Sequence, residues 1–295
     1  MQRQIWELVT DHTCLLGEGP VWSSVAGSIL WVDILRGEIH RFSIALNEHE
    51  VMRVGQKVGA IALRASGGLI AALQNGFAGI DLENKTVHPI ADPESHLPDN
   101  RFNDGKCDPA GRFWAGTMDD VNAKKGVGTL YVLNSNLSHS VRIREVTCSN
   151  GLAWSPNQNT LYYIDTATRQ VVSYHYDIGS GSIRNRKVAF AIPEDEGYPD
   201  GMTIDTEGML WIAHWEAGKI SRREPGTGRV LASISLPASR ITSCTFGGDN
   251  LDDLYVTSAR VGLTERQLKE QPLSGSLFVI KNSGFKGLDA VAFRG

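Results

Sequence analysis

The stretch YPDGMTIDTEGMLWIA, residues 198–213, decides the fold. It opens with a carboxylate before a glycine, Asp200-Gly201, and continues as an apolar run. A Glu207-Gly208 turn follows, and then a second run of large apolar residues. By itself Asp-Gly reads as a turn, because Gly takes φ > 0 and Asp bonds its own backbone. The same order of features recurs along the whole chain. The second runs are ILWVD (29–33), LIAAL (69–73), RFWAGT (112–117), TLYYIDT (160–166), MLWIAHW (209–215) and DLYVTSA (253–259). Each mixes β-branched or aromatic residues with small ones, as a buried strand does. A third run follows in each unit: GEIHRFSI, GFAGIDLE, GTLYVLN, RQVVSYHYD, GKISRRE and GSLFVIK.

Units of several strands, repeating about every forty to fifty residues, are the signature of β-propeller blades. Six units predict an all-β, six-bladed β-propeller that spans 1–295 as one domain. The strand-like run IWELVT (5–10) is expected to complete the blade built by the C-terminal units. Helical periodicity is weak throughout, and LTERQLKE (263–270) is the best case for one short helix or a loop. The tryptophans at 22, 31, 114, 154 and 211 are expected in the packing between blades.

Composition narrows the function classes. The 295 residues carry a formal net charge of −4 and are 41% hydrophobic and 21% charged. No basic run is longer than Lys124-Lys125 or Arg222-Arg223, so neither nucleic acid nor a membrane surface is an expected partner. The polar start MQRQIWELVTDH lacks an apolar core of signal-peptide length, and a cytoplasmic location is expected. Cys14, Cys107, Cys148 and Cys244 form no C-x-x-C pair and read as free, buried small groups. A closed ring leaves few edges to pair, so a monomer or weak dimer is expected.

In a propeller the first strand of each blade lines the central channel. The six lead-ins are GEGPVW, KVGAIAL, FNDGKCD, CSNGLAW, YPDGMTI and ITSCTF, which align Glu18, Val58, Asp104, Asn150, Asp200 and Ser243. Four of the six are acidic or amide, and Glu18 is not explained by turn preference. Ring closure would bring them to one point, where converged carboxylates repel unless a cation joins them. Glu18, Asn150 and Asp200 supply only oxygen ligands, which suit Ca²⁺, Mg²⁺, Mn²⁺ or an opportunistic Zn²⁺. Three side chains leave positions open for water and substrate. Asn103 is within reach of such an ion through a water.

LGEGPVW (16–22), DNRFNDGKCDPAGRFWAGTM (99–118), SNGLAWSPNQNTLYYIDT (149–166) and YPDGMTIDTEGMLWIA (198–213) resemble the regucalcin/gluconolactonase family, the senescence marker proteins. The resemblance spans nearly the whole chain. It implies a six-bladed propeller holding one divalent metal ion and hydrolysing a sugar lactone. It implies Glu18, Asn150 and Asp200 as metal ligands, Arg101 and Asn103 as contacts to substrate hydroxyls, and Asp200 as the base. Family members often carry a Glu shortly after the G-T-M run, where this chain reads Met118-Asp119-Asp120; Asp119 or Asp120 is expected to take that role. The pair His214-Trp215 also departs from the pattern expected of regucalcin itself.

Rival chemistry has little support. The chain contains no G-x-S-x-G elbow, no H-E-x-x-H and no G-x-x-x-x-G-K-[ST] loop. His96 and His214 are candidates for the channel mouth, although an ordinary, hydrogen-bonded His is the simpler reading of each. The alternatives are a propeller hydrolase of another ester or phosphotriester, and a non-enzymatic calcium-binding regulatory protein.

Overall fold

The computed structural model describes residues 5–295. Residues 1–4 of the polar N-terminal stretch lie outside the described residues. Six four-stranded antiparallel sheets follow one another in chain order. Blade 1 runs through Gly17–Ser23, Ser28–Asp33, Glu38–Ser43 and Glu48–Arg53. The first strands of blades 2 to 6 are Val58–Leu63, Asn100–Cys107, Ser149–Trp154, Tyr198–Ile204 and Ile241–Gly247. Each first strand packs against the first strands of both neighbouring blades, and the sixth packs on the first, which closes a ring.

Closure uses the N-terminus. Glu7 and Leu8 pair with Val279 and Phe278 as the outermost strand of blade 6. The expected closing run 5–10 thus contributes, with only Glu7–Leu8 in the ladder. The other five blades carry an outer strand beyond the three read from the sequence: Glu48–Arg53, Thr86–Ala91, His139–Val146, Ser182–Ala191 and Val230–Ser235. These strands are mostly exposed and several are rich in charge, so they lack the apolar pattern that marks buried strands. Charge at such an edge blocks pairing with other chains. The helix over Glu265–Glu270 forms behind a capping box, in which Thr264 and Gln267 satisfy each other's backbone N–H groups.

The core is divided among six apolar clusters, each at one interface between neighbouring blades. Trp31, Trp114 and Trp211 are among the largest fully buried side chains, and Trp22 and Trp154 are also buried. Two of these indoles are held by a device written in the repeat. In blade 5, Asp205 Oδ2 accepts from Trp211 Nε1 at 2.9 Å and from Arg222 Nε at 2.7 Å. Its Oδ1 accepts from the backbone N–H groups of Glu207 and Met209 in the intervening turn. Asp108 does the same in blade 3, with Trp114 Nε1 at 2.8 Å and Arg112 Nε at 2.6 Å. One buried carboxylate therefore ties a turn, an arginine and a core indole together.

Removing one partner from such a buried network leaves the others desolvated and unpaired. Asp205→Ala is expected to cost about 3 kcal/mol or more. Urea unfolding followed by tryptophan fluorescence reads this directly, and a midpoint unchanged from wild type would refute it.

Candidate metal centre

All six first strands carry a register break where the sequence alignment placed the channel residues. The breaks fall at Glu18/Val21, Val58/Ala60, Phe102/Gly105, Asn150/Leu152, Pro199/Met202 and Ile241/Ser243. A bulge bends its strand and re-aims a side chain. The glycines that follow have a steric reason. A Cβ on Gly201 would lie 2.2 Å from Ser243 Oγ, and one on Gly151 would lie 2.9 Å from the Asp200 carbonyl oxygen. The opening Asp-Gly is thus more than a turn: the aspartate sits at a bulge and the glycine lets the next blade approach.

Glu18, Asp104, Asn150 and Asp200 are all buried. Glu18 and Asn150 both lie beside the Asp200 carboxylate. Burial, then the neighbouring carboxylates Asp200 and Asp104, push the Glu18 carboxyl well above its ordinary range. Burial and Asp104 do the same to Asp200. Two like charges 4 Å apart at an effective dielectric of 20 repel by about 4 kcal/mol. The group therefore keeps its protons or takes up a cation.

The amide of Asn150 points to the cation. Its Nδ2 donates to Thr166 Oγ1 at 2.8 Å, and Thr166 Oγ1 donates to the Pro199 carbonyl at 2.8 Å. This fixes the amide and leaves Asn150 Oδ1 buried with no hydrogen-bond partner. An orphaned carbonyl oxygen beside two carboxylates is a donor set that fits a hard divalent cation. The backbone leading to Asn150 and Glu18 is held from outside the cluster. Asp165 accepts from the N–H groups of Thr147 and Cys148 just before Asn150, and Asp33 accepts from Leu15 and Leu16 just before Glu18.

The remaining expected residues sort clearly. Arg101 is buried; its Nε donates to Asp120 Oδ1 at 2.5 Å and its Nη1 to Asn103 Oδ1 at 2.7 Å and the Phe102 carbonyl at 3.0 Å. Asn103 Nδ2 in turn donates to the Ser149 carbonyl at 2.8 Å, next to Asn150. Asp120 also pairs with Lys57, and these cations hold its carboxyl below the usual range against its burial. Asp119 instead accepts from the backbone N–H groups of Val121 and Asn122 at 2.9 and 2.6 Å. Of the two aspartates, only Asp120 meets Arg101 in this way. His214 is turned into blade 5, its nitrogens 2.7 Å from the Glu196 carbonyl and 2.7 Å from Ser221 Oγ. His96 lines a surface groove on blade 3 with Glu94, Tyr131 and His139. Neither histidine joins the carboxylates.

Several residues escaped the sequence reading. Thr166 was visible as the last residue of TLYYIDT, yet nothing local ties it to Asn150. Cys148 Sγ lies 3.8 Å from Asn150 Nδ2, and burial pushes its thiol up to about 12, so it is no thiolate nucleophile. Lys106 Nζ donates to the Met202 carbonyl at 2.7 Å and faces Asp104 from the other side of the cluster. There the channel opens into a cavity of about 350 Å³, lined by Asp104, Lys106, Cys244 and the C-terminal residues Leu288–Val291.

The sequence matches the family model described as SMP-30/Gluconolactonase/LRE-like region over residues 16–260. It is 39% identical to regucalcin of Xenopus laevis, with 98% of each chain covered. A solved luciferin-regenerating enzyme superposes with a TM-score of 0.93 at 30% identity, covering 99% of each chain. A calcium-binding protein, regucalcin, from Agrobacterium tumefaciens gives a TM-score of 0.93 at 27% identity, covering 98% of this chain and 97% of its own.

Two expectations follow from the geometry. Thr166→Val deletes both the bond that orients Asn150 and the bond to the Pro199 carbonyl; it should weaken binding of a divalent cation about tenfold or more, as loss of an outer partner does. Calorimetric titration with Ca²⁺ checks this, and an unchanged affinity would rule the positioning role out. The second concerns His214, whose pKa burial lowers from 6.5 to about 4. The unfolded chain then binds a proton that the folded chain refuses, so stability is full above about pH 6.5 and falls as pH drops towards 4. Urea midpoints across that range should rise with pH, and His214→Asn should flatten part of the slope.

Proposed function

The chain belongs to the SMP-30/gluconolactonase/LRE-like family, and on that footing we propose that it is a divalent-metal-dependent hydrolase of a sugar lactone. The observation that carries the reading is the orphaned Asn150 Oδ1 beside the Glu18 and Asp200 carboxylates. Glu18, Asn150 and Asp200 would hold the ion. When bound, it supplies Lewis-acid polarisation of the lactone carbonyl and neutralises charge on that oxygen.

The chain's own residues supply the rest. Asp200 takes the proton from the attacking water and returns it to the ring oxygen as the acyl C–O bond breaks, which opens the lactone to the hydroxy acid. A free aspartate is a weak base at pH 7, and a lactone is an activated ester for which a weak base suffices. Arg101 is a rigid donor: Asp120, Asn103 and the Phe102 carbonyl fix two of its nitrogens, and Nη2 makes no hydrogen bond among the described residues. A planar guanidinium held in this way suits the vicinal hydroxyls of an aldonolactone. Asp120 takes the place of the family glutamate by orienting Arg101. The burial of the cluster keeps bulk water from the reacting carbonyl. We take the unit to be one propeller over 1–295, acting in the cytoplasm as a monomer or weak dimer. The described residues include no helix long and apolar enough to cross a membrane.

Acid release from a panel of aldonolactones tests the reading, using chelator-treated protein and added Ca²⁺, Mg²⁺, Mn²⁺ or Zn²⁺. Turnover should return with metal, and Asp200→Asn should lower kcat by about 10²–10⁴, the usual worth of a positioned base. Metal binding without turnover on any lactone would favour a non-enzymatic calcium-binding protein. Turnover of phosphotriesters alone would favour the other hydrolase.

A further inference from the structure

A second group of ligand atoms lies outside the channel, on blade 1. The ligand atoms of His12, Cys14 and His40 all lie within 4.8 Å of one another. Among the described residues no other three His, Cys, Asp or Glu side chains gather their donor atoms so closely. Cys14 and His40 are buried, with Cys14 Sγ 4.0 Å from His40 Nε2. Glu38 is a fourth donor, since its Oε2 lies 3.7 Å from the same His40 Nε2.

Two atoms in this group are left unsatisfied: His12 Nε2 and Glu38 Oε2 are buried and make no hydrogen bond. Glu38 itself is only 5% exposed, so its free oxygen is aimed into the protein and towards the imidazole. Native proteins rarely leave such groups unpaired without an ion or water to satisfy them. His40 is oriented from behind, its Nδ1 3.1 Å from His49 Nε2. With the proton on Nδ1, His40 Nε2 presents a lone pair to the thiol and the carboxylate. That is the arrangement of a histidine ligand whose other nitrogen is held by an outer partner. Trp31 stacks on both His40 and His49, at centroid distances of 4.9 and 5.2 Å, and fixes the two rings.

We infer that His12, Cys14, Glu38 and His40 form a second metal site, selective for a borderline ion such as Zn²⁺. Two imidazoles, one sulfur and one carboxylate make the four-ligand set of a closed tetrahedral zinc centre. Zn–N and Zn–S lengths of about 2.0 and 2.3 Å place such ligands about 3.5 Å apart, so the three donors that lie within 4.8 Å of one another have to draw in by little more than about 1 Å, and the Glu38 carboxylate turns in from beside His40. The thiol gives up its proton on binding, and the ion's charge offsets the burial that otherwise keeps it protonated. The role follows from chain position. His12 and Cys14 lie between the closing strand Glu7–Leu8 in blade 6 and the first strand of blade 1, while Glu38 and His40 lie on the third strand of blade 1. An ion here pins the segment that completes the ring. It differs from the channel site, whose ligands are all oxygen.

The test uses Co²⁺ as the probe, added to reduced, chelator-treated full-length protein. A thiolate-to-cobalt absorption band in the near ultraviolet should grow to one equivalent. It should persist in the Glu18→Gln/Asp200→Asn double variant and in excess Ca²⁺, disappear in Cys14→Ser, and be bleached by one equivalent of Zn²⁺. His12→Gln, on a partly exposed residue, should weaken the site tenfold or more and serves if Cys14→Ser fails to fold. Absence of the band in excess Co²⁺, or a band that survives Cys14→Ser or is unmoved by His12→Gln, would overturn the inference.

Discussion

The pairing of Glu7 and Leu8 with Phe278 and Val279 is the constraint on which the rest of the molecule depends. Blade 6 is made from both ends of the chain, so the ring closes by backbone hydrogen bonds rather than by packing alone. Glu18, Asn150 and Asp200, from blades 1, 4 and 5, come together only when the circle is complete. The local sequence around Glu18 has no stake in Asp200, and the closing strand supplies the connection.

Closure also creates an electrostatic problem. Burial, then Asp200 and Asp104, push the Glu18 carboxyl up, burial and Asp104 do the same to Asp200, and Arg101 offsets only part of the effect on Glu18. Arg101 stands beside the cluster but is committed to Asp120 and Asn103. Lys106 faces Asp104 and is bonded to the Met202 carbonyl. Structural acids elsewhere are treated differently: Asp108 and Asp205 each have an arginine, an indole and backbone N–H groups to themselves. The contrast between acids that are fully satisfied and acids left short of partners separates framework from site.

Much of this was legible in the sequence, for definite reasons. Three strands per blade were readable because each carries apolar residues into an interface between blades. The residues at the heads of the first strands were readable because Asn-Gly and Asp-Gly recur there in the repeat; that each sits at a bulge, and that these glycines are sterically required, was not. The outer strands were not readable, since solvent-facing edges such as Ser182–Ala191 have a sequence no different from a loop. Asp119 and Asp120 were indistinguishable as neighbours; their partners, a turn backbone and Arg101, separate them. His214, most simply read as an ordinary hydrogen-bonded histidine, is indeed occupied on both nitrogens.

The sequence by itself determined the repeat, the number of blades and which residue stands at the head of each first strand, because these depend on periodicity and on contacts a few residues long. The tertiary structure alone decided that Thr166 would fix the Asn150 amide, that Asp120 would hold Arg101, and that His12 and Cys14 would meet His40. Those contacts join different strands, loops or blades, and their partners are chosen by how the blades twist and pack, which no local pattern encodes.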